Sequence, residues 1–253
     1  MIWITGDTHG DPLRFRTDNF PEQKEMTRAD TVIVCGDFGC VWQDSKEERA
    51  KLKWLSEKPF TLVFVDGNHE NFNRLYSEFD IVDFHGAKAH KIRENVFHIC
   101  RGEVMTLEGK TFWCFGGAQS HDISDGIIDP ADYASRSAMK SHIRLMEAAG
   151  KYMFRIKGVS WWPEEMPDEE EKKHGLETLA GYGNRVNYIV THCCPAFLAA
   201  VFSAGRFEPD PLTEYFNEVS DITDFDGWFF GHYHRNWSCD KYEMLYERMV
   251  RVI

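Results

Sequence analysis

Five short apolar runs in this chain stop at a tight polar turn that presents side chains able to hold a metal ion. They read ITGDTHG at 4–10, VCGDFG at 34–39, VDGNHE at 65–70, IVTHCCP at 189–195 and FFGHYH at 229–234. Apolar runs this short suit strands buried on both faces, as in a sheet covered by other layers. In an open α/β sheet, ligands gather beyond the carboxyl ends of the strands. All five clusters occupy such ends, so they can converge in space although they are scattered along the chain. Taken singly, each is ordinary, because Gly-Asp and Gly-Asn are common turn dipeptides. Together they hold five of the eleven histidines, His9, His69, His192, His232 and His234, along with Asp7, Asp37 and Asn68. Chance placement is a poor explanation for that set.

The strand candidates are residues 2–5, 31–35, 61–65, 187–191 and 228–230. Helix candidates alternate with them. Residues 44–57 start at Asp44 as N-cap with Glu47 three residues on, the capping-box spacing, and Pro59 punctuates the end. Residues 70–78 and 131–149 also read as helical, and PDEEEKK at 167–173 starts a further helix. Its acidic residues suit the positive end of a helix dipole, as a solvated first turn. Strand, helix, strand in alternation implies an α/β architecture. Residues 96–117 read instead as short strands with LEGKT as a turn, forming either a second sheet or an antiparallel extension of the first. A polar excursion runs from about 119 to 185 within what reads as a single domain over 1–253.

With 43% apolar and 28% charged residues, the composition is that of an ordinary soluble globular protein. Nothing approaches ~18 consecutive apolar residues, which argues against a membrane span. The opening MIWIT reads as the first strand and not as a secretion signal. The seven cysteines form no CxxC pair, so a reducing cytoplasm is the expected compartment. Cys193 and Cys194 beside His192 read as small buried fillers. The net charge of −12 disfavours a nucleic-acid partner and is compatible with a small phosphorylated substrate.

The order D-x-H, G-D, G-N-H-E, H, G-H-x-H resembles the calcineurin-like metallophosphoesterase family. It is carried by Asp7 and His9, Gly36-Asp37, Gly67-Asn68-His69-Glu70, His192, and Gly231-His232-Tyr233-His234. The resemblance implies a two-sheet β-sandwich flanked by helices, with a two-metal site at the carboxyl ends of the strands. It implies a first ion on Asp7, His9, Asp37 and His234, and a second on Asp37, Asn68, His192 and His232, with Asp37 as the bridge. Imidazole, carboxylate and amide oxygen suit two divalent or mixed-valence ions such as Mn, Fe or Zn. Two ions, two carboxylates and a hydroxide leave a remainder of about +1, which attracts a phosphate anion. The implied reaction is hydrolysis of a phosphomonoester or phosphodiester by in-line attack of a metal-bridging hydroxide, with His69 stabilising the phosphoryl or leaving group. A nuclease on DNA or RNA is the alternative. A catalytically silent metal-bound scaffold ranks below it, because every ligand position and His69 are present.

In the Ser/Thr phosphatase branch, G-D continues to an Asp-Arg pair that supports the catalytic histidine and grips phosphate. This chain has Cys40 and Val41 there, so another group must orient His69, either Glu70 or a backbone carbonyl. FGGAQSHD at 115–122 and RIKGVSWWPEE at 155–165 resemble segments of a bacterial and phage-associated branch of the family. His121, Asp122 and Arg155 in them are candidates to border the substrate pocket, against the plainer reading of a glycine turn and tryptophans that pack the excursion. Tyr233 reads as packing.

Overall fold

The computed structural model describes residues 1–253. Parallel strands β1 (Ile2–Thr5), β2 (Thr31–Val34) and β3 (Thr61–Phe64) lie side by side, and α1 (Lys46–Ser56) crosses between the second and third. After α2 (Phe72–Ser77), strands β4 (Ile81–Phe84), β5 (Ala87–Arg93) and β6 (Val96–Ile99) extend the same sheet, β6 parallel to β3. A hairpin of β7 (Glu103–Leu107) and β8 (Lys110–Phe115) then opens the second sheet. The 96–117 segment is therefore divided: β6 joins the first sheet, parallel to β3 and antiparallel to β5, while β7 and β8 open the second.

The excursion contributes a two-stranded parallel pair, β9 (Gly126–Ile128) and β10 (Phe154–Ile156), with α3 (Arg136–Ala148) between them and α4 (Glu169–Gly181) after. Strand β11 (Tyr188–Thr191) follows, then α5 (Ala196–Ser203), α6 (Pro211–Ile222) and β12 (Gly227–Phe230). Strands β13 (Trp237–Cys239) and β14 (Tyr242–Met244) complete the second sheet, in the order β13-β14-β12-β11-β8-β7. Finally β15 (Met249–Arg251) returns to pair antiparallel with β1, making the first sheet seven strands wide.

Strand periodicity distributes the apolar side chains over three core layers. Ile2, Ile4, Ile33 and Val63 of the first sheet meet Phe112, Cys114, Val190 and Phe229 of the second, which makes the filling of a sandwich. Their neighbours Val32, Val34, Leu62 and Phe64 face outward onto Leu52 and Leu55 of α1 and onto Phe15 and Phe20. On the far side Trp113, Phe115, Ile189 and Trp228 meet Leu179 of α4 and Leu212, Phe216 and Val219 of α6. Strands buried on both faces need continuous apolar runs, which is why they were visible in the sequence. Each such side chain contributes about 1.5–3 kcal/mol on burial.

Several element ends differ from expectation. The first helix is capped by Ser45, whose Oγ accepts from Glu48 N at 3.1 Å, and not by Asp44, whose φ of 51° is left-handed. The Glu48 carboxylate meanwhile accepts from Trp42 N and Gln43 N, each at 2.7 Å, and so ties the approaching loop to the helix. The helix expected at 70–78 starts after an Asn71 cap, and that at 131–149 after a Ser135 cap. In α4, Asp168 and Glu171 form a reciprocal capping box. Glu171 is more than a solvated residue, since its carboxylate also accepts from Arg101 Nη1 at 2.9 Å. No helix is long and apolar enough to cross a membrane.

Candidate metal centre

The loops after β1, β2 and β3 emerge side by side from one edge of the first sheet, and those after β11 and β12 emerge from the adjoining edge of the second. Their glycines allow the two edges to meet. A Cβ on Gly67 would lie 2.1 Å from Asp37 Oδ1, and one on Gly231 would lie 2.0 Å from Asp7 Oδ1. Each motif thus leaves room for a carboxylate supplied by another loop. The backbone is bent sharply at the polar residues themselves. His9, Asp37, His232 and His234 have φ of 46°, 48°, 68° and 50°, a left-handed conformation uncommon outside glycine. Such concentrations of strain persist only where the surrounding structure imposes them.

Asp37 divides the cluster into two halves. On one side, Asp7, His9, Asp37 and His234 offer ligand atoms that all lie within 4.8 Å of one another. Asp37 Oδ2 lies 3.7 Å from His9 Nδ1, and Asp7 Oδ2 lies 3.2 Å from His234 Nε2. The hydrogen bond with Asp7 raises the His234 pKa, while burial lowers that of His9. Asp7 also accepts from the backbone N–H of His232 at 2.9 Å, which joins the first loop to the last.

On the other side, His192 Nε2 lies 3.3 Å from Asp37 Oδ1 and 3.3 Å from Asn68 Oδ1. His192 Nδ1 donates to the Cys35 carbonyl at 2.7 Å, which directs Nε2 at the two oxygens. Burial opposes a charge on His192, but Asp37 and Asp7 outweigh it and raise its pKa to about 10. The Asp37 carboxyl is likewise buried, and His192, His69 and His9 hold it well below the usual carboxylate range. The His232 ring sits 4.9 Å from that of His192, with its Nε2 turned to His121 Nε2 at 2.7 Å. Burial, with His192 and His121 nearby, keeps His232 neutral. Cys193 and Cys194 point away into the core under α5 and α6, so no thiolate joins the cluster. The donors are imidazole, carboxylate and amide oxygen, a set that fits divalent transition-metal ions.

Residues 1–236 match the family described as calcineurin-like phosphoesterase, a span that includes every loop in the cluster. The chain belongs to that family. It is also similar to lariat debranching enzyme A of Xenopus laevis, with 24% identity over 163 residues, covering 58% of this chain and 29% of that protein. The chain therefore spans less than a third of that relative's length.

In this phosphoesterase-family chain, His69 stands at the edge of the cluster with its backbone N–H donating to Asp37 Oδ1 at 2.7 Å. Glu70 does not orient it. The Glu70 carboxylate is fully buried and accepts from Phe38 N at 2.6 Å and Gly39 N at 3.3 Å, so it braces the Asp37 loop instead. The neighbour of the His69 imidazole comes from the excursion: Arg155 Nη2 lies 3.4 Å from His69 Nε2. A cavity of about 310 Å³ opens here, lined among others by Asp37, Asn68, His69, His121, Asp122 and Phe207. A larger one of about 610 Å³ opens on the far side of Asp7 and His9. Tyr233 packs against Phe202 and Phe207, as expected of it.

Five further residues of this phosphoesterase fold support the cluster from behind. Asn68 Nδ2 donates to Ser120 Oγ at 3.3 Å, and Ser120 Oγ donates to Glu165 at 2.6 Å. That relay turns Asn68 Oδ1 toward His192. Just before Gly67, Asp66 accepts from Arg101 Nε at 3.0 Å and lies 3.1 Å from His98 Nε2, which anchors the loop from behind. Ser120 and Glu165 lie inside the two segments noted for their resemblance, but only the fold shows which of their side chains reach the cluster.

Proposed function

We propose that this protein is a dinuclear-metal phosphoesterase hydrolysing a phosphomonoester or phosphodiester. The observation that carries this is the placement of Asp37, whose two oxygens face different donor sets. Oδ2 faces His9 in the half with Asp7 and His234, and Oδ1 faces His192 in the half with Asn68. One carboxylate can in this way serve two ions, with His232 and its neighbour His121 closing the second half. Divalent ions bound there supply Lewis-acid polarisation of the phosphoryl oxygens and a lowered pKa for the attacking water. The chain's own residues do the rest. Asn68 is a neutral ligand and preserves the positive character of the site. His69, facing the smaller cavity, stabilises the transferring phosphoryl group or protonates the leaving oxygen from a position fixed by its N–H on Asp37.

The similarity to a lariat debranching enzyme supports a second reading, a nuclease on DNA or RNA. The net charge of −12 opposes it. The discriminating experiment loads the protein with Mn and compares p-nitrophenyl phosphate, its bis-ester and single-stranded nucleic acid. Metal-dependent turnover of a small ester supports the main reading, and nucleic-acid cleavage far exceeding it supports the second. Two bound equivalents of metal with no turnover on any of the three would leave a scaffold.

A further inference from the structure

The lining of the cavity at His69 contains no lysine or arginine. The nearby cations at the cluster's back are already engaged. Arg14 donates to the carbonyls of Gly6, Asp7 and Tyr246, and Arg101 holds Asp66 and Glu171. Arg155 differs. It sits in the middle of β10, in the excursion, and its Nε donates to Asp122 at 2.9 Å. Asp122 itself lines the cavity. Arg155 Nη1 reaches the Ser160 carbonyl at 3.4 Å, and Nη2, also bonded to Asp122, makes the long contact to His69. A guanidinium has five N–H donors, so at least one on Nη1 has no protein acceptor. The 3.4 Å contact to a neutral imidazole nitrogen is weak and is readily exchanged for a bond to an anionic oxygen.

We propose that Arg155, held in place by Asp122, grips a phosphoryl oxygen of the substrate beside His69, so that the excursion supplies the anion grip of the site. Asp122 takes Nε and one N–H of Nη2, which leaves the second N–H of Nη2, now turned to His69, and one N–H of Nη1 for the substrate. Taking up a phosphoryl oxygen draws Arg155 off His69 Nε2 and leaves that nitrogen free to take a proton from water, which it can then donate to the phosphoryl or leaving oxygen. This inference rests on the phosphoesterase reading, but its test does not depend on turnover.

The test is calorimetric binding of inorganic phosphate to Mn-loaded wild type, Arg155→Ala, Arg155→Lys and Asp122→Asn, alongside hydrolysis of p-nitrophenyl phosphate. Arg155→Ala is expected to keep its metal content and to bind phosphate roughly 10- to 100-fold more weakly, the loss of a hydrogen bond to a charged group. Added guanidinium ion is expected to restore part of that binding. Arg155→Lys and Asp122→Asn should fall between Arg155→Ala and wild type, because lysine keeps the charge without the fork. Phosphate affinity within about twofold of wild type in a metal-replete Arg155→Ala would overturn the inference. If Arg155→Ala loses metal or fold, the lysine variant decides: wild-type affinity there overturns the proposal, and an intermediate one supports it. Absence of turnover in the wild type sinks the functional reading alone, since phosphate binding still judges Arg155.

Discussion

The side chains of His9 and His234 are 32% and 49% exposed, whereas His192 and His232, across Asp37 from them, are buried. In the exposed half the imidazoles have little behind them. His234 stacks on Tyr246 at 4.9 Å, and His9 Nε2 meets His234 Nε2 at 2.8 Å. The buried half has a supporting structure. The Cys35 carbonyl fixes His192, the Ser120–Glu165 relay fixes Asn68, and His121 backs His232. Groups behind the ligands set orientation and basicity, and low dielectric strengthens the interactions they make. We therefore expect the buried half to hold its ion more tightly and the exposed half to exchange.

Asp37→Asn should give the largest effect, because it weakens both halves together. A loss of several kcal/mol of charge stabilisation corresponds to a fall in turnover on the order of 10³-fold or more. Metal stoichiometry measured on the same sample should drop below two, and retention of both equivalents would show that Asp37 is not shared. His69→Ala should leave both halves filled and lower kcat by about 10²- to 10⁴-fold. A wild-type rate in that variant sinks the role given to His69. Glu165→Ala removes the relay on the buried side only, and should weaken one equivalent of metal by roughly 10- to 100-fold while the other is unchanged. Equal weakening of both would break the distinction between the halves.

A smaller effect concerns pH. In the metal-free protein the folded pKa of His192, about 10, lies above its ordinary value near 6.5. The stability this contributes is fully present below about pH 6.5 and is lost as pH rises through 10. The melting temperature of metal-free protein should therefore fall across that window, and His192→Asn should flatten the fall. Metal-filled protein should not show it, because a ligating imidazole is neutral. The smallest expected effect is kinetic: a chelator should remove one equivalent of metal faster than the other. A single release rate for both would count against the contrast.

Much of this could be read from the order of residues. The strands are legible because sheets covered on both faces demand unbroken apolar runs, and the candidate ligand types are legible because they follow those runs at glycine-marked turns. Sequence pattern is silent where a side chain acts through a partner distant along the chain. Adjacency points to Glu70 as the partner of His69, yet consecutive residues point apart, and its carboxylate turns to the N–H groups of Phe38 and Gly39. Ser120 and Glu165 stand in segments marked by resemblance alone, and nothing in those segments says which residue they serve. They matter only because Asn68 lies across from them.

The same division holds for the protein at large. Local pattern was sufficient for the α/β class, the strand ends and the family, since each depends on residue type within a few positions. The tertiary fold alone decided that Asp37 faces both ways, that Asn68 is steered from the excursion, and that Arg155 stands beside His69. Those facts depend on how two sheets stack and where a 119–185 excursion lands, and such long-range placement is set by packing of the whole core.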